Sequence, residues 1–196
     1  MHKTHAAFGV VSTARAWEGR DMVKPVRRIV TGHDSQGRSI FLEDGPAPNV
    51  FRPSHSPNVG LTNLWLLESV PAANADGPDP TAQPFRLEPP AAGNVVRIVE
   101  FPPDKERNYG QQAALFQQYG ASQAHDAAAR HPGFHKTSSV DYAIVVEGEI
   151  WAMMDIGETL MRTGDVLIQR ATNHAWSNRS DRIARVVFVL NGAEPA

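Results

Sequence analysis

His135, Asp141 and His174 are the residues whose types and placement best support chemistry. Two imidazoles and a carboxylate, each at the edge of a short β-prone run, form a donor set suited to a divalent metal. Ligands to one metal sit about 2.0–2.2 Å from it, so their donor atoms must converge. His135 and Asp141 are six positions apart, which on one straight strand would separate their Cα atoms by roughly 20 Å. A shared ion therefore requires the chain to fold back between them. Thr137-Ser138-Ser139 carry hydroxyls that support tight local turns, and the expectation is a reversal there with Asp141 opening a new strand.

The elements that must position these residues are mostly strands. Val26–Thr31 and Ser39–Leu42 read as a hairpin around Ser35-Gln36-Gly37-Arg38. Leu61–Glu68 and Val95–Phe101 read as further strands. Residues 71–94 hold six prolines and read as a long surface loop. Gln111–Arg130, rich in Ala and Gln, is the one expected helix, interrupted at Gly120. After Pro132-Gly133 the pattern is almost continuous β: 134–137, 141–147, 149–154, 159–162, 166–170, 174–177 and 183–190. Short strands at this spacing predict an antiparallel sandwich or small barrel. In 141–147, Asp141, Ala143 and Val145 share one face and Tyr142, Ile144 and Val146 the other. Both faces are largely apolar, which predicts cover on both sides: the barrel interior on one, the N-terminal strands or a second subunit on the other.

Composition narrows the function classes. The 196-residue chain has a formal net charge of −2 and no basic stripe, which argues against nucleic acid or an anionic membrane surface as partner. It has no cysteine, so disulfides, thiolate metal sites and Cys nucleophiles are excluded. That composition is compatible with a reducing, cytoplasmic setting. No apolar run approaches the roughly 20 residues that span a bilayer. Residues 1–24 are expected to be a disordered extension, and 25–196 a single domain: N-terminal strands and loop 25–110, helix 111–130, and barrel 131–192.

The residues from about 130 to 190 resemble the cupin superfamily, specifically the small single-domain cupins. The first cupin motif contains HxH, three or four residues, Glu, six residues and Gly. His135 occupies its first His, Thr137 its second, Asp141 its Glu and Gly148 its closing Gly. The second motif is matched by Gly164, His174 and Asn178, with Arg170 where Pro is usual and one residue fewer before the His. Val26–Gly45 is similar to the hairpin that precedes the barrel in one bacterial and fungal group. The resemblance implies an all-β double-stranded β-helix, or jelly-roll barrel, with an N-terminal hairpin and one short helix. It also implies a mouth-facing metal in many members, whose activities include dioxygenases, isomerases, decarboxylases and lyases alongside non-catalytic binders.

Two departures bear on the site. Thr137 replaces a histidine and Asp141 a glutamate, leaving two His and one carboxylate. That set resembles non-haem Fe(II) sites and would equally suit Zn, Mn or Ni. The alternative is a site that holds no metal. His131 and His125 are further candidates for the missing donor. Thr137, Gln169, Arg170 and Trp176 are candidate cavity-lining residues, with Arg170 pointing either inward to a substrate carboxylate or outward to solvent. The expected function is a metal-dependent cupin acting on a small organic molecule, as a homodimer. The rival is a metal-free cupin that binds a small molecule or maintains an oligomer.

Overall fold

The computed structural model describes residues 23–54, 56–73, 77–121 and 123–194. The expected disordered extension lies outside them up to residue 22. The architecture is all-β with one short helix, in agreement with the sequence. The strands are β1 (Arg27–His33), β2 (Ser39–Pro46), β3 (Val50–Phe51), β4 (Gly60–Leu67), β5 (Asn94–Phe101), β6 (Ser139–Glu147), β7 (Glu149–Met154), β8 (Glu158–Arg162), β9 (Val166–Arg170), β10 (His174–Ser177) and β11 (Ala184–Gly192).

One antiparallel sheet runs β3-β4-β5-β11-β6-β9, a second runs β10-β7-β8, and β1-β2 form a separate hairpin. Period-two alternation explains which side chains turn inward. On β6, Asp141, Ala143 and Val145 are buried, and on β11 Ala184, Val186, Phe188 and Leu190 are. They meet Ile150, Ala152 and Met161 from the three-stranded sheet in one apolar cluster. The two sheets thus close over a common core.

Two expectations are corrected. The helix, α1, spans only Gln112–Gln118. Gly120 ends it in the left-handed region at φ 67°, a conformation glycine adopts without steric cost. The segment 71–94 is not simply a surface loop: Thr81 and Leu87 are buried, and Asp79 pairs with Arg28 at 2.6 Å, tying the β1-β2 hairpin down. Arg28 holds the Asp79 carboxyl well below its usual range, at about 2.

For the outer face of β6, the expected cover is either the N-terminal strands or a second subunit. Tyr142 and Val146 are each 43% exposed, beside Val166 and Ile168 of β9 at 56% and 52%. The register sets Tyr142 opposite Ile168, so these side chains form an apolar patch that the N-terminal strands do not cover.

The short connection between β9 and β10 has a conformational cost. Ala171 sits at φ 49°, where an L side chain is disfavoured by roughly 1–2 kcal/mol. Glycine relieves that strain but gives up about 0.5–1 kcal/mol of chain entropy. Ala171→Gly is therefore expected to stabilise the fold by about 0.5–1 kcal/mol, read from the urea midpoint at unchanged m-value.

Candidate active site

His135 and His174 come together through the backbone rather than through a hairpin. The His135 amide donates to the His174 carbonyl and the His174 amide to the His135 carbonyl, both at 2.9 Å. This isolated antiparallel bridge puts the two residues directly opposite one another, with side chains on the same face. The rings lie 4.3 Å apart, centroid to centroid, at 47°. From His135 the chain passes to the other sheet, where Asp141 on β6 pairs with β9. The expected turn is thus a crossover between sheets.

The two imidazoles share one hydrogen-bonding arrangement. His135 Nδ1 lies 2.9 Å from the Gly133 carbonyl, and His174 Nδ1 lies 2.9 Å from the Thr172 carbonyl. A carbonyl only accepts, so each Nδ1 carries the proton and each neutral ring presents its lone pair at Nε2. Burial pushes the His135 pKa down to about 4. Burial, then the neighbouring His135, pushes that of His174 down to about 3. Both rings are neutral at physiological pH, as metal ligation requires.

Both line a cavity of about 100 Å³, several times the roughly 10–15 Å³ that one water needs. Its walls are mainly apolar, with Leu61, Val99, Leu115, Phe116 and Phe188 prominent. Of the sequence candidates, Thr137, Asp141 and Trp176 line it too. Thr137 is buried and its Oγ1 accepts from Ser139 Oγ at 2.9 Å. Asp141 is buried, and its Oδ1 has no hydrogen-bond partner among the described residues. Burial pushes its carboxyl up to about 6, against the pull of Ser139 and Arg97.

The metal set is not assembled as the sequence predicts. Among the described residues no group of three or more His, Asp or Glu stands close enough to share one ion. The His pair, with its carbonyl-oriented rings and free Nε2 atoms, fits two metal positions. Asp141 does not join it.

Nor do the other candidates supply a third donor: His125 and His131 are absent from the cavity lining, and no group of three forms among the described residues. His125 Nε2 is 3.0 Å from the Pro132 carbonyl, with the ring stacked on Phe116 at 4.8 Å. His131 Nδ1 accepts from the Gly133 amide at 3.1 Å. Gln169 and Arg170 lie outside the cavity lining. Gln169 is buried opposite Asp141 but its amide is engaged by Thr172. Arg170 is exposed, one position out of phase with it.

Sequence reasoning missed Arg97 and Arg107, both of which line the cavity. The available signal was a charge inside the apolar run Val95–Phe101. Val95, Arg97 and Val99 share the buried face of β5.

No family model matches the chain. Similar proteins do exist. A phomopsin biosynthesis cluster protein C′ of Diaporthe leptostromiformis is 30% identical over 181 residues, covering 86% of this chain and 79% of the relative. An oryzines biosynthesis cluster protein J of Aspergillus oryzae is 30% identical over 179 residues, covering 87% and 84%. A cupin-domain-containing oxidoreductase of Aspergillus ruber is 28% identical over 176 residues, covering 84% and 71%. This chain belongs to the cupin superfamily, in the same family as these fungal proteins.

Proposed function

We propose that this cupin is an oxidoreductase acting on a small organic molecule in the cavity, with a divalent transition metal held by His135 and His174 through Nε2. The observation that carries this reading is the pair of buried, neutral imidazoles, each with Nδ1 fixed on a carbonyl. The name of the Aspergillus ruber relative supports the reaction class. A metal there would supply Lewis acidity and, for a redox-active ion, electron transfer.

The chain's own groups have separate roles. The apolar walls bind the substrate body and exclude water. Asp141, with a carboxyl near pKa 6, exchanges a proton at Oδ1 in the neutral range, as suits a general base or acid.

The test is the metal content of protein purified without an affinity tag. Close to one equivalent of Fe, Zn, Mn or Ni is expected. Less than about a tenth would leave the second reading, a metal-free small-molecule binder, which the lack of a third donor among the described residues favours.

The same reading includes a homodimer, with a second copy covering the patch of Tyr142, Val146, Val166 and Ile168. Light scattering at micromolar concentration is expected to give twice the chain mass, and Ile168→Lys to halve it. A monomeric wild type would refute the dimer.

A further inference from the structure

The cavity carries more positive charge than its own carboxylates balance. Arg97 projects inward from β5 and is 3% exposed. Its hydrogen bonds all go to neutral acceptors: Asn63 Oδ1 at 2.9 Å, the Leu87 carbonyl at 3.0 Å and the Arg86 carbonyl at 2.6 Å. Its guanidinium lies 4.3 Å from the Phe85 ring centroid. Three of its five N–H groups are thereby used. Burial pushes its pKa down to about 10, so it remains a cation at neutral pH.

A buried cation is costly unless an anion completes it, and here the one nearby counter-charge, Asp141, faces two guanidinium groups. Arg97 also borders a second cavity lined by Glu68 and Glu88, but its electrostatic partners are Tyr119 and Asp141, on the first. Arg107 adds a second guanidinium to that first cavity. It donates to the Trp176 carbonyl at 3.3 Å and pairs with Asp104 only at 3.9 Å, a carboxylate already engaged by Tyr109 Oη at 2.7 Å and the Asn178 amide at 3.0 Å. Among the described residues that line the cavity, Asp141 is the sole carboxylate.

The geometry points to a small organic acid as the ligand: its carboxylate meets Arg97, and its apolar body lies among Leu61, Val99, Phe116 and Phe188. This rests on the reading above that the cavity takes the reacting molecule, and it names the chemical class of that molecule. The guanidinium fork suits the two oxygens of a carboxylate. The predominantly apolar walls disfavour a more highly charged, strongly hydrated anion such as phosphate.

The test follows Trp fluorescence, since Trp176 lines the cavity, during titration with benzoate, phenylacetate and hexanoate, with benzyl alcohol and inorganic phosphate as controls. Each titration is run on the protein as purified and again with EDTA. At least one acid is expected to bind at least 10-fold tighter than benzyl alcohol and phosphate, with and without EDTA. Arg97→Gln should lose at least 10-fold of that affinity. Should this variant not fold, Arg97→Lys serves, because it keeps the charge but not the fork, and the same loss is expected.

The proposal is overturned if none of the acids binds at millimolar concentration or if benzyl alcohol or phosphate binds as well. It is equally overturned if EDTA abolishes binding, which would put the carboxylate on a metal, or if a folded Arg97 variant binds like the wild type. Acid binding by protein that carries no metal as purified would sink the metal reading and leave this one standing; binding that persists after EDTA treatment of metal-loaded protein leaves both standing.

Discussion

His174→Ala is expected to remove bound metal and turnover together, lowering metal affinity by at least about 100-fold. Losing only a group that orients a ligand costs roughly 10–100-fold, and loss of the ligand itself costs more. The effect is large here because the described residues offer no reserve donor. His125 and His131 are absent from the cavity lining, and Asp141 does not group with the pair. Elemental analysis and equilibrium dialysis measure the loss. His135→Ala should match it, because the two rings face each other across one backbone bridge. Asp141→Asn should separate the roles: metal is retained while turnover falls by roughly 10²–10⁴-fold, the usual worth of a positioned proton-transfer group. Loss of metal in Asp141→Asn would instead make Asp141 a ligand.

The second large effect is on stability, at the residue closing the second motif. Asn178→Ala is expected to destabilise the fold by about 3–4 kcal/mol. Asn178 is fully buried. Its Nδ2 donates to the Phe101 carbonyl at 2.8 Å and the Arg182 carbonyl at 2.7 Å. Its Oδ1 accepts from the Ser180 amide at 3.1 Å and the Ser180 hydroxyl at 2.7 Å. Each such bond contributes about 1 kcal/mol, and each buried group left unpaired costs about 1–3 kcal/mol. For a chain of this size the melting temperature should fall by about 10 °C, at roughly 2–4 °C per kcal/mol. Metal content of the folded variant should stay unchanged, since Asn178 is absent from the cavity lining. A shift below about 3 °C would contradict this role.

Much of this was legible in the sequence because period-two alternation and tight turns are local. The β6–β11 run, with φ 75° at Gly148 and 97° at Gly164, follows the turns and apolar faces read from the chain. The histidines were legible through motif spacing, although the bridge that pairs them joins residues 39 positions apart. Arg97 was not legible as a cavity residue. A charge stands on each face of the run, Arg97 on one and Glu100 on the other, so alternation could not choose between them, and both are buried. The placement of Asp141 relative to the histidine pair was not legible, for a tertiary reason. Asp141 sits on the six-stranded sheet while the histidines meet at the edge of the other, and sequence spacing carries no information about the gap between sheets. The break at Gly120 was legible, but among the described residues the helix does not resume after it, because the left-handed conformation there redirects the chain out of a favourable Ala-Gln pattern.

The most direct test of the central claim observes the imidazoles themselves. Of the eight histidines, ¹⁵N spectra of histidine-labelled, metal-stripped protein should show His135 and His174 as neutral rings protonated at Nδ1. Titration with Zn(II) should then move the Nε2 resonances of these two residues together, reaching completion at one equivalent. Nε2 signals of His135 and His174 that stay in place while zinc is added would contradict the account.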